Sequence, residues 1–108
     1  MPEEGATNRR RPEPSPERQA IARLLGERGI GRHALFLTQR EGTELPSGLE
    51  AVSGFALDEQ GHVHGFWLAW DDARQVLTLA PFYRVDEAHA AFAQDEEYRA
   101  ARRALGLS

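Results

Sequence analysis

Asp58, His62 and His64 are the residues of this chain whose types and spacing come closest to chemistry. Two histidines two apart on an extended segment project to the same side, and a tight turn over Asp58-Glu59-Gln60-Gly61 sets Asp58 opposite His62. Two imidazoles and a carboxylate within reach of one point are a candidate site for zinc, another transition metal or a small ligand. They could equally form a base with its orienting acid. Three donors from a single hairpin tip are a minimal set, however, and no motif such as HExxH accompanies them. The competing reading is a polar rim on an exposed turn, with Asp58 and His62 as a surface pair worth little energy.

The rest of the chain adds no catalytic machinery. There is no cysteine, which removes disulfides, thiol nucleophiles and thiolate metal sites. Ser15, Ser47, Ser53 and Ser108 fall at a helix cap, a loop, a strand and the terminus, and none has a nucleophile motif around it. Gly26, Gly29, Gly31 and Gly48 form no phosphate loop, because none follows a strand and opens a helix. His33 and His89 are isolated. No cofactor is implied, and no sequence feature supports an enzyme.

Positioning the Asp58 turn requires strands on either side of it. Ser15-Pro16-Glu17-Arg18 opens a helix: serine caps free N–H groups, proline fits the first helical position and glutamate complements the dipole. Ala20, Ile21, Leu24 and Leu25 then form one apolar stripe, and Gly29 stops the helix. The run His33–Thr38 has the length and content of a buried strand, followed by a loop over residues 40–49 with Gly42, Pro46, Ser47 and Gly48. From Glu50 to Leu79 three antiparallel strands alternate with two turns, Asp58–Gly61 and Asp71–Arg74. Pro81 ends the last strand's pairing or marks it as an edge. A helical region is predicted from Asp86 through Ala88, Ala91 and Phe92, with a second start at Asp95-Glu96-Glu97 and Tyr98, Ala101 and Leu105 facing inward. The expected fold is α+β in the order αββββα, with residues 1–14 a disordered tail and 15–108 one domain.

Alternation along the three-stranded meander sorts its side chains. One face carries Ala51, Phe55, Leu57, Val63, Trp67, Val76 and Thr78; the other carries Val52, Phe66, Leu68, Trp70, Leu77 and Leu79, with Asp58, His62 and His64 at its turn end. Both faces are apolar, so both need a cover: a helix on each, or two helices on one and a partner on the other. The leading functional expectation is therefore a non-enzymatic protein-interaction domain, self-associating as a homodimer or other homo-oligomer, with Phe55, Leu57, Val63 and Trp67 at the interface.

Composition bounds the partners. The chain has 108 residues, of which 41% are hydrophobic and 28% charged, ordinary values for one globular domain. No run is long enough to cross a bilayer and the first residues lack the pattern of a secretion signal, so a cytoplasmic protein without a membrane partner is expected. All 13 basic residues are arginine, and Asn8 is the sole asparagine. Arginine used throughout alongside abundant alanine fits a GC-rich coding bias better than selection for phosphate contacts. The net charge of −4 opposes general nucleic-acid binding. The run Arg9-Arg10-Arg11 is a weaker alternative contact for nucleic acid, and Glu3, Glu4 and Glu13 offset it.

Overall fold

The structure, a computed structural model, describes residues 15–85 and 94–107. Helix α1 spans Pro16–Glu27, strands β1 to β4 span His33–Glu44, Glu50–Asp58, Val63–Asp71 and Val76–Val85, and helix α2 spans Glu96–Ala104. The four strands form one antiparallel sheet in chain order, giving the expected αββββα arrangement. The tail over residues 1–14 and the helical stretch predicted from Asp86 through Phe92 lie outside the described residues, His89 with them.

Local chemistry places both helices where capping residues allow. The Ser15 hydroxyl accepts from the Arg18 N–H at 3.2 Å, with Pro16 at the first helical position. Asp95 accepts from the N–H groups of Glu97 and Tyr98 at the start of α2, where acidic residues open the helix and Arg102 and Arg103 close it. Glu17 does more than complement a dipole. It is buried, accepts the Glu50 N–H at 3.0 Å and so ties the first turn of α1 to the start of β2.

The helices lie on opposite faces of the sheet. Under α1, Ile21, Leu24 and Leu25 pack on Val52, Ala56, Phe66, Leu68 and Leu79. Under α2, Tyr98, Ala101 and Leu105 pack on Phe36, Leu57 and Val63. Of the two arrangements that would cover a two-sided sheet, the described residues show one helix on each face. Alternation assigns the faces correctly apart from Ala51, which joins the α1 core at the end of β2 where β1 bulges.

Two boundaries differ from expectation. β1 does not stop at Thr38 but continues to Glu44, pairing Gln39 with Ser53, Arg40 with Val52 and Glu44 with Glu50, so the loop shrinks to residues 45–49. Its polar second half has no apolar alternation to announce a strand; backbone pairing and the Arg40–Glu50 contact at 2.6 Å hold it. β4 likewise continues past Pro81 to Val85. Pro81 is tolerated because it falls on an edge strand at the irregularity of the β3–β4 ladder, between the Phe66–Phe82 and Leu68–Leu79 pairs, where regular pairing is interrupted.

Candidate functional site

The β2–β3 turn builds the Asp58 cluster. Asp58 and His62 close the hairpin through the Asp58 N–H and His62 carbonyl at 3.0 Å, and Gly61 supplies the positive φ of 89° that the turn needs. Asp58 Oδ1 then accepts from the backbone N–H groups of Gln60 and His62, both at 2.9 Å. Its other oxygen contacts His64 Nε2 at 2.9 Å and stands 3.7 Å from His62 Nδ1. The three predicted residues are thus brought together, on the α1 side of the sheet.

Their environment is less open than a hairpin rim. The side chains of Asp58 and His64 retain 14% and 12% of their exposure, against 39% for His62. The His64 ring stacks on Phe82 with centroids 5.5 Å apart, and the Arg28 guanidinium sits 4.4 Å from the same Phe82 ring while donating to the Leu79 carbonyl. Partial burial pushes the Asp58 pKa up, but the bonds from His64, His62 and Gln60 outweigh it and leave the carboxyl below its ordinary value. Sequence reasoning did not connect Phe82 and Arg28 with this cluster, because they come from a strand and a helix end distant in the chain.

As chemistry, the arrangement is a carboxylate saturated by donors. Both imidazole nitrogens nearest the centre approach Asp58 Oδ2 itself rather than sharing with it a vacant point. Among the described residues, no group of three or more His, Asp or Glu side chains is placed to hold a metal ion. His33 stands apart at the start of β1, with Nδ1 3.0 Å from the Gly31 carbonyl.

The other face carries the expected interface residues. Leu57 and Val63 are fully covered beneath α2. Phe55 is partly buried and stacks on Phe36 at 5.6 Å, which in turn meets Tyr98 at 5.5 Å. The aromatic row continues across the sheet: Gly65, the cross-strand partner of Phe55, lies directly under the Tyr83 ring, where any Cβ would collide. Trp67, two residues further along β3, is 37% exposed. Tyr83 and Val76, also exposed, pair with Gly65 and Asp71 and so share this face.

No family model, curated protein or solved structure matches this chain. No helix among the described residues is long and apolar enough to cross a membrane.

Proposed function

We propose that the chain is a non-catalytic protein-interaction domain that self-associates through the part of the sheet face that α2 leaves open. One observation carries the reading: the exposed large hydrophobic residues among those described, Trp67, Val76 and Tyr83, all fall on that one face. Scattered exposed apolar side chains need no explanation, whereas large ones gathered on a single sheet face point to a contact surface. Tyr83 is held flat over Gly65 and Phe55 is fixed by Phe36, so the surface is ordered before any partner arrives. A second copy presents the same aromatic surface and meets it about a two-fold axis without any further partner chemistry.

The test is molecular mass in solution. Sedimentation of the wild-type chain should show a concentration-dependent species above monomer. Trp67→Glu should lose the contribution of this face while keeping a cooperative melt, since a charge trapped unpaired in an apolar interface is costly but one at an exposed site is not. A wild-type chain that stays monomeric at the highest attainable concentration overturns the proposal.

A further inference from the structure

We draw no further inference here: the strongest candidate, the recess beside β4 lined by Arg23, Arg28 and Arg74, carries none because Glu27 and Asp71 already pair with Arg23 and Arg74, Arg28 already donates to the Leu79 carbonyl, and nothing in the structure shows what covers it.

Discussion

Replacing Asp58 by alanine tests whether the hairpin cluster is a solvated surface pair or a structural joint. The carboxylate accepts three hydrogen bonds, from His64 Nε2 and from the N–H groups of His62 and Gln60, each at 2.9 Å. Gln60 is exposed, so water replaces its lost partner and that bond contributes little. His64 retains 12% side-chain exposure and is held flat on Phe82, so its ring nitrogen has no comparable access to water. A bond to an ionised acceptor contributes about 1.5–3 kcal/mol. Adding a fraction for the half-buried His62 N–H gives an expected loss of about 2–4 kcal/mol in Asp58→Ala. Asp58→Asn keeps one carbonyl acceptor and should lose about half of that. Urea unfolding at neutral pH measures both. The sign of the pH dependence follows from the lowered pKa of Asp58: its stabilisation is present above the ordinary aspartate value of about 3.9 and fades as pH falls through the lower folded value. The gap between wild type and Asp58→Ala should therefore narrow as pH falls below about 4. A loss under about 0.5 kcal/mol, the scale of exposed pairs, refutes the structural reading. So does a gap that persists undiminished in strong acid.

Added Zn²⁺ should raise the melting temperature only marginally, because the donors are already spent on Asp58; a clear rise that His62→Ala and His64→Ala abolish would show a metal site instead. Leu57→Ala should destabilise the chain by about 3–4 kcal/mol by urea unfolding, since Leu57 is fully buried between the sheet and α2. Glu17→Gln should cost about 1 kcal/mol at neutral pH: the amide still accepts from Glu50 but no longer as a charge beside Arg40. The Glu50 N–H is the largest cause of the lowered Glu17 pKa, so this difference too should vanish as pH drops below the usual glutamate range.

The elements with caps or alternation were legible in the sequence, and those held by pairing alone were not. Ser15-Pro16-Glu17 and Asp95-Glu96-Glu97 announce helices because they satisfy open N–H groups whatever the tertiary context. Residues 39–44 give no such sign. Gln-Arg-Glu-Gly-Thr-Glu reads as loop because neither face of that half-strand is buried, and its conformation is imposed by β2. Leu37 illustrates the limit further: it takes a φ of 50°, a region leucine rarely enters, at the bulge between Phe36 and Gln39. Its side chain packs on the α2 core and its N–H is taken by Glu97, two tertiary contacts that no local pattern encodes. For the Asp58 cluster, turn and strand geometry brought the three residues together correctly. Their burial could not be read, because Phe82 and Arg28 reach the site from elsewhere in the chain.

The two-sided apolar meander poses the more general case. A period of two assigns each side chain to a face but says nothing of how far along the strand a covering helix reaches. Leu57, Val63 and Trp67 share one face, yet the first two are shut beneath α2 while Trp67 keeps 37% of its surface. The difference arises from the length of α2, nine residues, or about 13 Å at 1.5 Å per residue. Each nine-residue strand beneath it is about 30 Å long at 3.3 Å per residue. A helix less than half as long as its sheet covers one end only. Tyr98 and Ala101 lie over Phe36, Leu57 and Val63, and Trp67 and Val76 stand along the face beyond them. Extending α2 at its N-terminus by a helical turn bearing a leucine should then protect Trp67 from a fluorescence quencher and weaken self-association through that face together. Quenching that falls while the aromatic-face dimer persists would show that Trp67 is not part of the contact.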